Sequence, residues 1–95
     1  MEVIIKDKAL KELSKLDKSQ ADKILDAVEN LANYPDVRNI KKLKNHTPTH
    51  RLRVGDYRVL FDIEDNAIIV GSIRHRKNAY DWLKKSNLIK KNQKY

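Results

Sequence analysis

The chain has 95 residues, of which 21 are Lys or Arg and 13 are Asp or Glu, so its formal net charge is +8 at neutral pH. This length predicts one domain spanning residues 1–95, and the absence of cysteine excludes disulfide frameworks, thiol catalysis and cysteine-containing zinc sites. No apolar run approaches the about 20 residues of a membrane span, and the sequence does not begin like a signal peptide. We therefore expect a cytoplasmic protein without a membrane partner.

The positive charge is concentrated in the second part of the chain. Residues 1–40 carry seven basic and eight acidic side chains, whereas residues 41–95 carry fourteen basic and five acidic ones, a net charge of +9. Such an asymmetry is typical of a surface that binds a polyanion, most often nucleic acid. It is equally typical of a solvated surface that keeps a protein soluble, and the charge alone does not decide between these interpretations.

The first third of the chain predicts a strand followed by two helices. Residues 2–6 form a short β-branched run, which is typical of a strand. Asp7 is expected to cap a first helix, and the capping-box pattern of residues 19–22 predicts the start of a second. The dipeptide Tyr34-Pro35 ends the second helix because residues before proline avoid helical geometry. The two apolar stripes predict a helical hairpin packed on a sheet.

Residues 36–48 are polar and predicted to be irregular. His46 and His50 are four residues apart, but Pro48 lies between them and excludes a helical pair of metal ligands. Both histidines are therefore interpreted as loop residues.

The segment from residue 49 to residue 74 predicts three antiparallel strands. The Gly-Asp pair at residues 55–56 is typical of a two-residue hairpin turn, and residues 64–66 predict a second turn. This register pairs Arg53 with Arg58 and Ile63 with Ile68. It places Arg58 beside Ile73, with His75 on the face of the arginines, unless a bulge brings in Arg74 or Arg76 instead.

Three arginines share one face of the predicted hairpin, since side chains alternate between faces along a strand. Arg51, Arg53 and Arg58 lie on this face, and the apolar residues between them face the helices. Like charges directly opposite each other destabilise a sheet, so this arrangement favours a bound anion such as phosphate. The alternative is an ordinary exposed strand surface on which Asp62 neutralises part of the charge.

Several segments together resemble the RelE/ParE toxin superfamily. They are Leu-x-x-Tyr-Pro at residues 31–35, Lys-Leu-Lys-Asn at 42–45, Arg-Leu-Arg-Val-Gly-Asp-Tyr-Arg at 51–58 and His-Arg-Lys-x-x-Tyr at 75–80. The resemblance covers residues 3–80 and is closer to RelE than to ParE. It implies the α+β class, with a small twisted antiparallel sheet and an N-terminal helical hairpin packed on one face. Residues 81–95 are then expected to form a terminal helix and a basic tail.

The resemblance implies a toxin of a type II toxin–antitoxin system that cleaves mRNA in the ribosomal A site. Its implied partners are an acidic antitoxin protein and the ribosome with its mRNA. In the family reaction the ribose 2′-hydroxyl attacks the adjacent phosphate, which requires a base, an acid and cations but no metal or cofactor. The alternatives are a ParE-like inhibitor of DNA gyrase and a non-catalytic basic domain that binds nucleic acid.

The resemblance also implies catalytic roles for Arg51, Arg53, Arg58, Arg76 and Tyr80, to which His75 is added as the candidate base or acid. Some family members have lysine at the positions of Arg51 and Arg53, and one such lysine acts as the base. Arginine cannot take that role near neutral pH, whereas histidine titrates there. Tyr80 is expected to stack on or orient the mRNA, with packing against the protein as the alternative. The basic residues expected to bind RNA phosphates outside this pocket are Lys41, Lys42, Lys44, Arg74 and Lys77.

Overall fold

The computed structural model describes residues 1–44 and 47–77. Helices pack on one face of a five-stranded sheet within these residues. The elements in chain order are β1 (Glu2–Ile5), α1 (Asp7–Ser14), α2 (Lys18–Glu29), a 3-10 helix (Asn30–Asn33), β2 (Ile40–Lys42), β3 (His50–Val54), β4 (Tyr57–Glu64) and β5 (Ala67–His75). In the described part of the chain, no helix is long and apolar enough to cross a membrane. The terminal helix and tail predicted for residues 81–95 lie outside the described residues.

The sheet has the strand order β1-β5-β4-β3-β2. Neighbouring strands are antiparallel except for β1, which pairs in parallel with β5 through Glu2 to Ala67 and Ile5 to Val70. The predicted α+β class is confirmed, and the prediction of an antiparallel sheet needs this one correction. A parallel pair requires a long connection, and the helices together with strands β2, β3 and β4 provide it.

The two helices begin at residues other than those predicted. Asp17 caps α2, because its carboxylate accepts a hydrogen bond of 2.9 Å from the Gln20 amide, and the predicted capping box at residues 19–22 is wrong. Asp7 is the first residue of α1 rather than its cap. Its carboxylate therefore lies in the first turn, where the helix dipole favours negative charge.

The core lies between the helices and one face of the sheet. Helix α1 packs mainly on β5, whereas α2 contacts β3 and β4, so the predicted hairpin is two helices that cover different strands of one sheet face. Each fully buried Val, Leu or Ile side chain stabilises the fold by about 1.5–3 kcal/mol. The buried apolar residues that form this core are Ala9, Leu13, Ile24, Val28 and Leu31 from the helical segment and Leu52, Val59, Phe61, Ile68, Val70 and Ile73 from the sheet.

Strand β2 lies within the segment that the sequence predicts to be irregular. It pairs Ile40 with Leu52 and Lys42 with His50 at the edge of the sheet. Asn39, with a φ of 67°, precedes the strand, and its carbonyl accepts a hydrogen bond from the Arg53 amide. A three-residue strand with two lysines has too short an apolar pattern to be recognised without its partner.

His50 is the first residue of β3 and is buried, so its interpretation as a loop residue is wrong. Its ring stacks on Phe61 at a centroid distance of 5.3 Å and meets the edge of Tyr34 at 6.0 Å. Burial lowers the pKa of His50, the charge of Lys42 lowers it further, and Asp62 opposes both effects. His50 therefore belongs to the packed end of the core and favours its neutral form. His46 lies outside the described residues.

The predicted hairpin register is confirmed. Gly55 takes the left-handed conformation, with a φ of 58°, that the turn requires, and Arg53 pairs with Arg58 across it. Ile63 pairs with Ile68 as predicted, but a bulge shifts the register farther along. Phe61 pairs with Val70 and Leu60 with Ser72, so Gly71 is the extra residue on β5. Beyond this bulge every residue of β5 is displaced by one position against β4.

Candidate active site

The arginine cluster consists of Arg51, Arg53, Arg58 and Arg76. The first three lie on β3 and β4, on the sheet face opposite the core, as the register predicts. Burial lowers the pKa of the Arg58 guanidinium, and the positive charges of the other three members lower it further. Such a concentration of positive charge on one surface is suited to a phosphate group.

The hairpin turn fixes the guanidinium of Arg58. Its Nη1 donates to the carbonyl oxygens of Gly55 at 2.9 Å and Tyr57 at 3.0 Å. A guanidinium carries five N–H donors in a planar fork, so these two bonds leave the remaining edge available for a ligand. The turn therefore orients the Arg58 guanidinium and leaves its other N–H donors available for a ligand.

Arg51 contributes an unsatisfied donor to the same face. Its Nε is buried and has no hydrogen-bond partner within the described part of the chain. An unpaired buried donor costs about 1–3 kcal/mol, so within residues 1–44 and 47–77 the strand holds Arg51 in place without compensating this donor. An ordinary exposed strand surface does not carry this cost.

Arg76 joins the cluster through the β3–β4 turn. Its backbone amide donates to the Asp56 carbonyl at 2.6 Å, and its Nε lies 3.9 Å from the Asp56 carboxylate. Both side chains are more than half exposed, so the ion pair itself contributes little stability. The backbone bond instead holds the end of β5 beside the turn.

The bulge places Arg74, not Ile73, opposite Arg58. However, Arg74 Nε donates to Ser72 Oγ at 2.9 Å and lies 3.4 Å from a carboxylate oxygen of Glu12. Sequence analysis missed Glu12, although a carboxylate on the apolar stripe of α1, between Ala9 and Leu13, is an identifiable signal. Arg74 is therefore bound to an acid of its own chain, and its predicted contact with RNA stays a prediction.

His75 does not lie on the arginine face. It pairs with Tyr57, whose side chain packs against the core, and the two rings meet edge to face at 5.5 Å. The prediction that the unbulged register puts His75 beside the arginines is wrong, because the bulge at Gly71 shifts β5 by one residue. The stated alternative, that a bulge brings Arg74 to this position, is confirmed. His75 ends β5 immediately before Arg76 of the cluster.

Comparison with known proteins identifies the family. The family model described as the ParE toxin of the type II toxin–antitoxin system parDE matches residues 3–80. The chain belongs to this toxin family. It is 32% identical to the putative toxin RelE1 of Methanocaldococcus jannaschii over 83 residues, which cover 82% of this chain and 92% of the relative. It is 33% identical to toxin RelE3 of the same organism over 60 residues, or 62% and 68% of the two chains.

Solved structures agree with the assignment of this chain to the toxin family. The RelB–RelE antitoxin–toxin complex from Methanococcus jannaschii matches with a TM-score of 0.68 at 26% identity, over 83% of this chain and 96% of the matched chain. The RelE–RelB complex from Pyrococcus horikoshii OT3 matches with a TM-score of 0.65 at 26% identity, over 79% and 93%. The stated resemblance to the RelE/ParE superfamily, closer to RelE, is confirmed.

The remaining predicted site residues of the toxin are spread over several positions. Lys41 pairs with Arg51 and therefore lies on the arginine face, whereas Lys42 pairs with His50 and lies on the opposite one. Lys44 follows β2 in a turn, and Lys77 follows β5. Tyr80 lies outside the described residues. The structure thus extends the arginine face by one lysine, Lys41.

Proposed function

We propose that this toxin cleaves mRNA in the ribosomal A site. The ribose 2′-hydroxyl attacks the adjacent phosphate, the bond to the 5′-oxygen breaks, and a 2′,3′-cyclic phosphate and a 5′-hydroxyl are left. The observation that carries this proposal is the arginine cluster, in which the turn fixes Arg58 and Arg51 Nε is buried with no partner among residues 1–44 and 47–77. The relatives are named as RelE toxins, and the resemblance to RelE implies this activity.

The cluster acts on the charge that develops in the reaction. The pentacoordinate phosphorane carries more negative charge on its oxygens than the starting diester, so preorganised cations stabilise it more than the substrate. Arg58 presents its open guanidinium edge to these oxygens, and Arg51 and Arg53 add donors from the neighbouring strand. Because the turn already orients Arg58, little reorganisation accompanies the reaction.

The proton transfers require a group other than arginine, since guanidinium stays protonated near neutral pH. We propose His75 for one of them, because it ends β5 immediately before Arg76 of the cluster. Its ladder partner Tyr57 is the first residue of β4, so His75 lies at the open end of the sheet, next to Arg76. Tyr80, which lies outside the described residues, is proposed to stack on or orient the mRNA.

An acidic antitoxin is the proposed regulator of the toxin. The solved relatives were determined as complexes of RelE with RelB. The net charge of +8 favours an acidic partner, and covering the arginine face would block phosphate binding directly.

The decisive experiment incubates the purified toxin with ribosomes programmed with a defined mRNA. Primer extension maps new ends within the A-site codon, and chemical analysis identifies the 2′,3′-cyclic phosphate. A parallel assay measures DNA supercoiling by gyrase, because the matching family model is named for ParE. Cleavage without gyrase inhibition supports the proposal. Gyrase inhibition without cleavage, or neither activity, contradicts it.

A further inference from the structure

Within residues 1–44 and 47–77, one edge of β5 is free of strand pairing beyond Val70. Strand β1 pairs with β5 only up to Ile5, and the Lys6 amide donates to the Val70 carbonyl at 2.9 Å before the chain turns into α1. Glu12 of α1 then takes the place of the missing strand, since its Oε1 accepts a hydrogen bond of 3.0 Å from the Ile73 amide. The Glu12 carboxylate thus accepts the hydrogen bond that a neighbouring strand would otherwise accept from the Ile73 amide. This contact lies where β5 approaches the candidate active site.

The same carboxylate organises two side chains of β5. Ser72 Oγ donates to Glu12 Oε1 at 3.1 Å and accepts from Arg74 Nε at 2.9 Å. Glu12 Oε2 also lies 3.4 Å from Arg74 Nε, and Ser72 is buried. A charge-assisted network of this kind is stronger than separate neutral hydrogen bonds. Helix α1 is therefore linked to the end of β5 by one acid.

This network separates the two arginines at the end of β5. Arg74 lies directly opposite Arg58 on the ladder, yet its positive charge is compensated by Glu12. Arg76, by contrast, is among the cations that lower the pKa of Arg58. Glu12 thus holds Arg74, whereas Arg76, which follows β5 directly, lies beside Asp56 of the hairpin turn.

We propose that Glu12 is a positioning residue for the arginine cluster, holding the end of β5 through the Ile73 amide and restraining Arg74 through Ser72. This inference rests on the proposed function in that the cluster is taken to bind the scissile phosphate. Without Glu12, the strand end that carries Arg76 loses its anchor on α1. Misplacement of a catalytic group by about 1 Å can cost about 100-fold in rate.

The test compares three variants. Glu12→Ala removes the whole network, whereas Glu12→Gln keeps an oxygen acceptor for the Ile73 amide and removes the negative charge. Glu29→Gln, at the exposed end of α2, is the matched control. Hydrogen exchange of the Ile73 amide and the NMR signal of Arg74 Nε–H report on the network directly. Thermal unfolding establishes that each variant is folded, and Glu12→Gln provides the test if Glu12→Ala does not fold.

We expect Glu12→Ala to lower kcat about 10-fold or more with KM changed by less than about threefold, because phosphate binding by the rest of the surface persists. The Ile73 amide should exchange faster in Glu12→Ala but stay protected in Glu12→Gln, while the Arg74 signal shifts in both. Wild-type kcat in folded Glu12→Ala, unchanged Arg74 and Ile73 signals, or an equal loss in Glu29→Gln overturns the proposal.

The positioning role can also be measured without cleavage. A short single-stranded RNA oligonucleotide titrated into wild-type protein should shift the side-chain signals of Arg58 and Arg76 together, and in Glu12→Ala the shift of Arg76 should be lost. If wild-type protein does not cleave mRNA but this difference persists, the proposed function fails and the role of Glu12 stands. If the RNA shifts Arg76 equally in both proteins, Glu12 does not position it.

Discussion

Arg53 and Arg58 lie directly opposite each other across the β3–β4 hairpin. Like charges at facing positions destabilise a sheet, and burial together with the neighbouring arginines lowers the pKa of Arg58. A bound phosphate would remove this repulsion. The pair therefore links the stability of the hairpin to the occupancy of the site.

Arg58→Ala is expected to reduce A-site cleavage by about 100-fold, the scale of losing one preorganised donor to the transition state. Arg38→Ala serves as the control, because Arg38 is an exposed arginine outside the cluster. Single-turnover cleavage of programmed ribosomes measures the effect. Near-normal rates for folded Arg58→Ala would contradict the role assigned to the cluster.

Arg53→Gln is expected to stabilise the free protein by about 0.2–1 kcal/mol, because it removes one of two facing charges. The gain should shrink at high salt, which screens the repulsion. Urea unfolding of wild-type and variant protein at low and high salt measures this change in the free energy of unfolding. A loss of stability at low salt would mean that the arginine pair is not repulsive in the folded state.

His50 is expected to make the fold sensitive to acid. Burial lowers its pKa in the folded state below the ordinary value of 6.5, so the unfolded chain binds the proton more tightly. The stability contributed by neutral His50 is fully present above about pH 6.5 and is lost as the pH falls through the lower, folded-state pKa. His50→Phe retains an aromatic ring against Phe61 and removes the titration, so the unfolding free energy should vary less with pH over this range. His75→Gln is the control, and an unchanged pH dependence in His50→Phe contradicts the prediction.

Lys41→Glu is expected to weaken binding to ribosomes more than Lys42→Glu. The two lysines are neighbours in sequence, but only Lys41 shares a face with Arg51. Phosphate contacts make affinity fall with salt, so Lys41→Glu should also reduce the salt dependence of binding. Equilibrium binding at several salt concentrations provides the comparison. Equal effects of the two substitutions would show that β2 does not present one face to the RNA.

Local turn chemistry made the arginine face predictable from the sequence. A Gly-Asp pair between two alternating runs specifies a two-residue turn, and the turn specifies which residues face each other. Arg51, Arg53 and Arg58 could thus be assigned to one face from adjacent residues alone. The same reasoning failed for His75, because one extra residue in a strand reverses the face of everything beyond it. Gly71, a glycine inside an otherwise β-branched strand, was the available sign of that bulge.

The other unpredicted features depend on contacts between distant residues. Strand β2 exists because Ile40 pairs with Leu52, and its three residues carry too little pattern to indicate a strand. Glu12 is separated by 60 residues from the serine to which it is hydrogen-bonded. Its position on the apolar stripe of α1 suggested a buried partner, but nothing in the local sequence identified Ser72 or Arg74. Pairings of this kind are established by the tertiary fold.

The parallel pair of β1 with β5 has a consequence for the order of assembly during synthesis. Residues 2–5 leave the ribosome before the rest of the sheet, and their partners, residues 67–70, follow only after the whole β3–β4 hairpin has been made. The arginine-bearing hairpin has only local contacts to form, whereas closing the sheet joins the two ends of the described chain. A nascent chain can therefore present its arginines before its edge strand is in place. Closure of β1 on β5 brings α1, with its Glu12 carboxylate, to the edge of β5. This step then completes the fold around the basic hairpin.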